Sequence, residues 1–455
     1  MEITDRTKEL ETKKISSLLL AYALPSIISQ IIASLYNITD RVCIGQGVDA
    51  MAISGLTITF PFMNIIHAFG SLVGAGAGAR MSIVLGQKDV RWAEKILGNA
   101  MLLTFIFGAL FLSVGYIYID EILVLLGAID ENISYARDYM LIVLPGMFFT
   151  TLSFNLTGMI RSSGYPMKSM FILGGGAILN IILDLIFIFV FNWGIAGAAW
   201  ATTISMTATS VAAVLHFVDK KSFIQFRKHS WQPKLYIFRN ILMIGISPFL
   251  MNIAAAGVVG ILNHQITFFG GANAVAAFGI VNSILNMAVL IILGLCQGMQ
   301  PIAGYNYGAG LKNRLREVLF LVMKINMLIG LVFTILACLF PRIFASAFTN
   351  DANLIELSVP CFRFMVCMMP LIGFTITNSN FFQSIDKPWV AITTSLLRQV
   401  IILLPLIYLM PRLFVSMNLD GLTGIWAAAT TSDFLAAVIS GALLYSQRKL
   451  FTCDK

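Results

Sequence analysis

Four ionisable residues stand out within the long apolar stretches of this 455-residue chain, namely Asp40, Asp184, Arg398 and Asp433. Placing such a side chain inside a membrane costs roughly 2.5–3.5 kcal/mol, so each of them is a candidate for binding an ion. The chemistry that three carboxylates and one guanidinium suggest in such a setting is reversible cation binding.

Asp184 lies deep in its apolar stretch, and Asn180 precedes it by one helical turn. The i, i+4 spacing places both side chains on one helix face. Tyr36 precedes Asp40 at the same spacing, near the end of the first stretch. The structural alternatives are a buried polar pair at Asp184 and a helix-end carboxylate beside Arg41 at Asp40. The depth of the carboxylates favours the ion-binding interpretation.

Arg398 and Asp433 carry opposite charges in consecutive apolar stretches. A structural ion pair is the favoured interpretation. The alternative is a coupling site in the second half of the chain.

No other pattern predicts catalysis or a cofactor. The four histidines are scattered without an HExxH sequence, and the six cysteines form no CxxC pair. The glycines at positions 74, 76 and 78 follow no strand and precede no GKS or GKT, which excludes a phosphate-binding loop. We therefore expect no enzyme activity, no cofactor, no disulfide framework and no structural metal centre.

The composition predicts that membrane helices carry these residues. Hydrophobic residues make up 58% of the chain and charged residues only 11%, whereas a soluble domain is about one quarter charged. A membrane-spanning helix needs roughly 20 apolar residues. Twelve stretches meet this length: 15–40, 50–79, 96–118, 135–157, 168–191, 195–217, 240–268, 274–303, 317–340, 354–382, 389–411 and 421–446.

The two halves of the chain match each other in the positions of several prolines and glycines. Pro25 corresponds to Pro248 at an offset of 223 residues, and Gly86 corresponds to Gly308 at an offset of 222. Six predicted spans lie in each half, so both halves have the same orientation and the repeats are parallel. The predicted organisation is a tail at 1–14, a first lobe at 15–218, a linker at 219–239, a second lobe at 240–446 and a tail at 447–455.

The basic residues are strongly asymmetric about the predicted membrane. With a cytoplasmic N-terminus, 23 Lys and Arg residues fall in the tails and even-numbered loops, and five fall on the opposite face. The positive-inside rule therefore predicts that both termini are cytoplasmic. The net charge of +8 needs no nucleic-acid partner, and the charged N-terminus shows no cleavable signal peptide.

Nearly the whole chain resembles the multidrug and toxic compound extrusion (MATE) family, most closely its MepA-like branch. The resemblance is carried by several stretches taken together, and any one of them alone would be weak. They are LYNITDRVCIGQ at 35–46, RSSGYP at 161–166, NxxxD at 180–184, QGMQPIAGYNYG at 297–308, SLLRQ at 395–399 and TTSD at 430–433.

The resemblance implies two six-helix lobes that form a V around a central cavity. It also implies antiport, in which H⁺ or Na⁺ enters while lipophilic cationic drugs or toxins leave. A cation site in the first lobe would consist of Asp40, Asn180, Asp184 and Thr202, with Tyr36 and Asn155 as lining residues. Family members bend the first span at a proline, which here would be Pro25. We expect a monomeric multi-pass protein among the lipids of the bacterial inner membrane, with a role in antibiotic resistance.

One departure from the family concerns the second lobe. Sodium-coupled NorM-like members carry acidic residues on spans seven and ten, and the corresponding segments here are apolar around residues 253–256 and 371–375. This shifts the expected coupling site to the first lobe and favours H⁺, although Na⁺ at carboxylate, amide and hydroxyl oxygens is chemically reasonable. The alternative function is a lipid or lipid-linked oligosaccharide flippase, which would require a more basic cavity.

Overall fold

The computed structural model describes residues 7–48, 50–129 and 132–451, so the extreme ends of both predicted tails lie outside it. This part of the chain is helical and contains no strand. The α-helices are α1 Lys8–Thr12, α2 Ile15–Gly47, α3 Ala50–Gly86, α4 Val90–Ile117, α5 Ile119–Leu125, α6 Ile133–Ser162, α7 Pro166–Asp184, α8 Gly194–Val218, α9 Leu235–Gly308, α10 Lys312–Leu339, α11 Pro341–Ser346, α12 Ala352–Val366, α13 Met369–Ser384, α14 Pro388–Leu396, α15 Leu403–Ser416 and α16 Gly421–Ser446. Two π-helical turns, Leu185–Val190 and Leu397–Ile402, follow α7 and α14, and 3₁₀ turns cover Lys228–Trp231 and Arg448–Phe451.

The helices account for the twelve predicted spans. Ten helical stretches of the described chain are long and apolar enough to cross a membrane, and the pair α12 and α13, bent by 47°, forms an eleventh. The 74-residue α9 is interrupted at Gly271, whose φ of 70° and ψ of −171° are not helical. A residue with a Cβ rarely adopts this backbone conformation. The break divides α9 into spans seven and eight, which completes the set of twelve.

The structure confirms the predicted duplication. Helices α4 and α10 both contain 28 residues, and their first residues, Val90 and Lys312, differ by 222 positions. Helices α7 and α14 both begin with a proline, Pro166 and Pro388, at the same offset. Proline suits the first turn of a helix because its missing N–H would have no intrahelical partner there. The all-helical membrane fold of two parallel repeats is therefore as predicted.

The packing divides the chain into two compact units. Unit 1 comprises the chain up to Phe249 together with Gly304–Gly310, and unit 2 comprises Leu250–Ala303 and the chain from Leu311 onwards. The core of unit 2 is built from aliphatic and aromatic side chains, including a stack of Phe278 on Trp426 with ring centroids 6.0 Å apart. The predicted lobe boundaries at 218 and 240 stay a prediction.

Helix α2 continues through Pro25 from Ile15 to Gly47. Proline at this position removes one backbone hydrogen bond within the helix. The hydroxyl of Ser29 donates to the Pro25 carbonyl oxygen at 2.8 Å. The bend at Pro25 stays a prediction.

Candidate cation-binding site

Three helices of unit 1 bring together the four residues of the predicted cation site. Asp40 lies on α2, Asn180 and Asp184 lie on α7, and Thr202 lies on α8. Asp184 and Asn180 are fully buried, and Asp40 is only 8% exposed. A carboxylate at such depth requires polar partners or a bound cation.

A tight connection between α7 and α8 places Asp184 near Thr202. Asn192 and Gly194 both have positive φ values, 55° and 58°, so the chain reverses over a few residues. Phe187 then stacks on Trp193 with ring centroids 4.9 Å apart, and the Cα of Gly197 packs against the Phe187 backbone. This packing fixes the end of α7 against the start of α8.

The side chain of Asn180 links α7 to α8. With its amide nitrogen directed at Asp184, it donates to Oδ2 at 3.1 Å and its oxygen accepts from the Thr202 backbone N–H at 3.2 Å. In the opposite amide orientation the nitrogen lies 3.4 Å from the Thr202 hydroxyl. We assign the first orientation, because in it both the nitrogen and the oxygen of the amide form hydrogen bonds. The i, i+4 spacing in the sequence correctly placed Asn180 beside Asp184.

Two tyrosines complete the polar surroundings. The side chains of Tyr36 on α2 and Tyr139 on α6 both lie near Thr202, Asp40 and Asp184. Tyr36 was expected from the sequence, whereas Tyr139 was not. Tyrosine is common near the ends of spans, because its amphipathic ring sits well at the membrane–water interface. Nothing in the spacing around Tyr139 therefore distinguishes it from an interfacial tyrosine.

Asp184 is the last α-helical residue before the π-helical turn Leu185–Val190. Single π turns within helices are frequent at functional sites, because they interrupt the regular backbone hydrogen bonding. Within the described residues, Asp184 has no Lys, Arg or His nitrogen at ion-pair distance, and its Oδ1 has no hydrogen-bond donor. The side chain of Arg41, on which the structural alternative for Asp40 depends, lies outside the described residues.

Asn155 has a different environment. Its amide donates to the hydroxyl of Thr104 on α4 at 2.6 Å. A Cβ added to Gly74 on α3 would lie 2.4 Å from Asn155 Oδ1, so glycine leaves room for the amide. Both polar residues line a narrow pocket with phenylalanines of α3, α4 and α6. The described hydrogen bonds thus connect Asn155 to Thr104 rather than to the carboxylates, and its lining role stays a prediction.

The second candidate pair lies in unit 2. Arg398 Nη1 is 3.7 Å from Asp433 Oδ1, and both side chains are largely buried. Arg398 belongs to the π-helical turn Leu397–Ile402, and its carbonyl oxygen accepts from the Ser432 hydroxyl at 2.7 Å. This geometry suits an ion pair that joins the last two spans, and the choice between a structural and a coupling role stays a prediction.

Unit 2 does not repeat the cation site. In the sixth span the offset is 227, at which Gly194 corresponds to Gly421. With offsets of 223, 222 and 227 for the first, fifth and sixth spans, the counterparts are Asn263 for Asp40, Ile402 for Asn180, Leu406 for Asp184 and Ala429 for Thr202. Three of the four polar positions are therefore apolar in the second half, and neither carboxylate has a counterpart.

The cluster can hold a small cation through oxygens alone. It offers carboxylate, amide and hydroxyl oxygens, which suit H⁺ or a hard cation such as Na⁺. Among the described residues, no three His, Cys, Asp or Glu side chains form a group that could hold a metal ion.

Known proteins match this chain along almost its full length. The multidrug export protein MepA of Staphylococcus aureus (strain NCTC 8325 / PS 47) is 28% identical over 447 residues, covering 98% of this chain and 96% of its own. Two solved structures have a TM-score of 0.90 at 23% identity and cover 99% of both chains. One is an outward-facing multidrug resistance MATE family transporter of the MOP superfamily, and the other is a MOP superfamily transporter from Pyrococcus furiosus.

The family model MatE matches the chain twice, over residues 25–186 and 249–409. The two matched segments correspond to the two halves of the internal repeat. The chain therefore belongs to the MatE family and is a multi-pass membrane transporter rather than an enzyme.

Proposed function

We propose that this protein is a secondary antiporter that exports lipophilic organic cations in exchange for H⁺ or Na⁺ bound at Asp40 and Asp184. The observation that carries the proposal is the burial of both carboxylates in one cluster with Asn180, Thr202 and two tyrosines. Two carboxylates in a poorly solvated pocket repel each other when both are charged. Binding one cation removes that repulsion, so the pocket is suited to exchange one cation for another.

The coupling follows from competition for the same negative charge. When the pocket faces outward, H⁺ or Na⁺ binds the carboxylates and a drug cation loses its electrostatic attraction. When the pocket faces inward, the small cation dissociates and the attraction is restored. Electrostatic attraction is strong where water is scarce, so few carboxylates suffice. We favour H⁺ because the site contains only two carboxylates and unit 2 lacks their counterparts.

The substrate class rests on two further observations. The similarity to a protein named for multidrug export supports small-molecule substrates. The abundant Phe and Met residues, 34 and 22 in number, supply adaptable apolar surfaces for lipophilic cations. The basic residues support an orientation with both termini in the cytoplasm of a bacterial inner membrane.

Ethidium transport in proteoliposomes tests the proposal. A pH gradient alone and a sodium gradient alone should be compared for the wild type, Asp40→Asn and Asp184→Asn. The matched control is Asp120→Asn, which removes a carboxylate of the same unit that is half-exposed and paired with Arg137 at 3.4 Å.

We expect one gradient to drive ethidium transport in the wild type and in Asp120→Asn, and both site variants to be inactive although correctly folded. Full transport by both site variants would refute the assigned site. No ethidium movement under either gradient would instead favour the flippase alternative.

A further inference from the structure

One exposed face of α10 carries polar residues that the transport proposal does not use. Asn313, Arg316, Glu317, Phe320 and Lys324 line an open groove of about 420 Å³, which we call the α10 groove. They recur at intervals of three and four residues, so they share one side of the helix.

Lys324 is unusual in its depth. It follows the first residue of α10, Lys312, by twelve positions, which is about 18 Å along the helix axis. Neither Lys324 nor Arg316 has a carboxylate at ion-pair distance within the described residues. A cation at this depth in a spanning helix is costly unless it is paired or reaches the interface. No described carboxylate therefore forms an ion pair with either cation, and an anionic group from outside the protein could do so.

The side chains of Arg316 and Lys324 lie in the same part of the α10 groove. The Cα–Cβ bonds of an α-helix tilt toward its N-terminus, so the Lys324 side chain is directed back toward Phe320 and Arg316. The guanidinium carbon of Arg316 lies 5.7 Å from the centre of the Phe320 ring. The carboxylate of Glu317 belongs to the same groove. The groove thus combines two positive charges and one adjacent negative charge.

The same face of α10 continues as an exposed apolar surface. Leu328, Leu331, Ile335 and Leu339 are each between 47% and 66% exposed. The face is therefore polar toward the start of the helix and apolar beyond Lys324. This order matches that of a phospholipid, with a charged headgroup at the interface and acyl chains in the core of the bilayer.

The internal repeat shows that this surface is covered in unit 1. Arg316 and Phe320 correspond to Glu94 and Gly98 of α4 at the offset of 222. There the segment before α9 packs on the helix. Arg227 Nε lies 3.0 Å from a Glu94 carboxylate oxygen, and the Ser230 backbone contacts Gly98. On α10 the packed segment is the short turn Arg448–Phe451, and all five groove residues remain exposed.

We propose that the α10 groove binds the headgroup of a phosphatidylethanolamine molecule. Arg316 and Lys324 bind the phosphate, Glu317 accepts hydrogen bonds from the ammonium group, and the acyl chains lie along Leu328, Leu331 and Ile335. A zwitterionic headgroup fits better than a purely anionic one, because Glu317 would repel an additional negative charge.

Native mass spectrometry of the detergent-purified protein tests this site. Phosphatidylethanolamine, phosphatidylglycerol and phosphatidylcholine with identical acyl chains should be titrated separately. We expect the wild type to retain phosphatidylethanolamine preferentially. Arg316→Gln and Lys324→Met should each weaken its binding about tenfold, which is the range for one charge-assisted hydrogen bond. Lys220→Met, an equal change of charge at an exposed linker residue, should leave binding unchanged.

The Glu317→Gln variant tests the assigned role of the carboxylate. It should lose the preference for phosphatidylethanolamine over phosphatidylglycerol while still binding both lipids. The proposal is overturned if Lys220→Met weakens binding as much as Lys324→Met, or if the wild type prefers phosphatidylglycerol. The preference of the wild type between these two lipids can be measured without any variant.

Discussion

The amide of Asn155 donates a hydrogen bond to the hydroxyl of Thr104 at 2.6 Å, and the repeat contains the same pair with its roles exchanged. At an offset of 222, Thr104 corresponds to Asn326 and Asn155 corresponds to Thr377. The amide of Asn326 donates to the Thr377 hydroxyl at 2.8 Å. In both units one amide and one hydroxyl join equivalent helices, α4 to α6 in unit 1 and α10 to α13 in unit 2. The helix that carries the amide in one unit carries the hydroxyl in the other.

The exchanged pair allows a direct test of equivalence. Thr104→Asn alone adds volume to a buried helix contact and Asn155→Thr alone removes volume from it, and such changes cost about 1–3 kcal/mol. We expect both single variants to lower thermal stability in detergent, and the double variant to recover most of the loss. A double variant that is destabilised by the sum of the two single effects would contradict this expectation.

The hydroxyl of Tyr139 is expected to support the cation site through Thr202. Tyr139→Phe should increase the concentration of coupling ion needed for half-maximal transport by about two- to tenfold, the equivalent of one hydrogen bond of 0.5–1.5 kcal/mol. Ethidium transport at a series of ion concentrations measures this change. Tyr116→Phe is the control, since the Tyr116 hydroxyl donates to the Leu141 carbonyl oxygen. An unchanged ion requirement in Tyr139→Phe would remove this residue from the site.

Gly86 and Gly308 form a reciprocal contact between the ends of α3 and α9. A Cβ added at Gly86 would lie 2.1 Å from the Tyr305 carbonyl oxygen, and one at Gly308 would lie 1.9 Å from the Ile83 carbonyl oxygen. Both distances are far too short, so the backbones would have to separate. We expect Gly86→Ala and Gly308→Ala each to reduce the free energy of unfolding by about 1–3 kcal/mol.

Gly279→Ala is the matched control for this contact, because a Cβ on that α9 residue would meet no atom within 4 Å. It should be neutral or stabilising by roughly 0.5–1 kcal/mol, since alanine favours a helix interior over glycine. Thermal unfolding in detergent measures all three variants. Equal effects of Gly86→Ala and Gly279→Ala would rule out the close crossing.

Glu94 is expected to hold the linker segment against α4. Its carboxylate is 3% exposed and lies 3.0 Å from Arg227 Nε and 2.8 Å from His229 Nε2. Glu94→Gln should lower the free energy of unfolding by about 1–3 kcal/mol and accelerate tryptic cleavage after Arg227. Glu356→Gln, which breaks an exposed pair with Arg342, should cost less than about 1 kcal/mol. Similar cleavage rates in the wild type and Glu94→Gln would show that other contacts hold the linker.

The membrane fold, the twelve spans and the duplication could all be predicted from the amino-acid sequence alone. The length of each apolar stretch predicts the spans, and the prolines and glycines that recur at a nearly constant offset predict the duplication. The sequence also placed Asn180 beside Asp184, because i, i+4 neighbours share a helix face whatever surrounds them.

Contacts between residues that are distant in the sequence could not be predicted, because they depend on how the helices pack. Asp40 and Tyr139 are 99 positions apart in sequence and lie on different helices, and no periodicity within one helix relates them. The exchange of Asn and Thr between Asn155–Thr104 and Thr377–Asn326 likewise requires the packing of four helices to be known. Hydrophobic burial makes each helix form and insert, but the specific pairing of polar side chains depends on how the helices pack against one another.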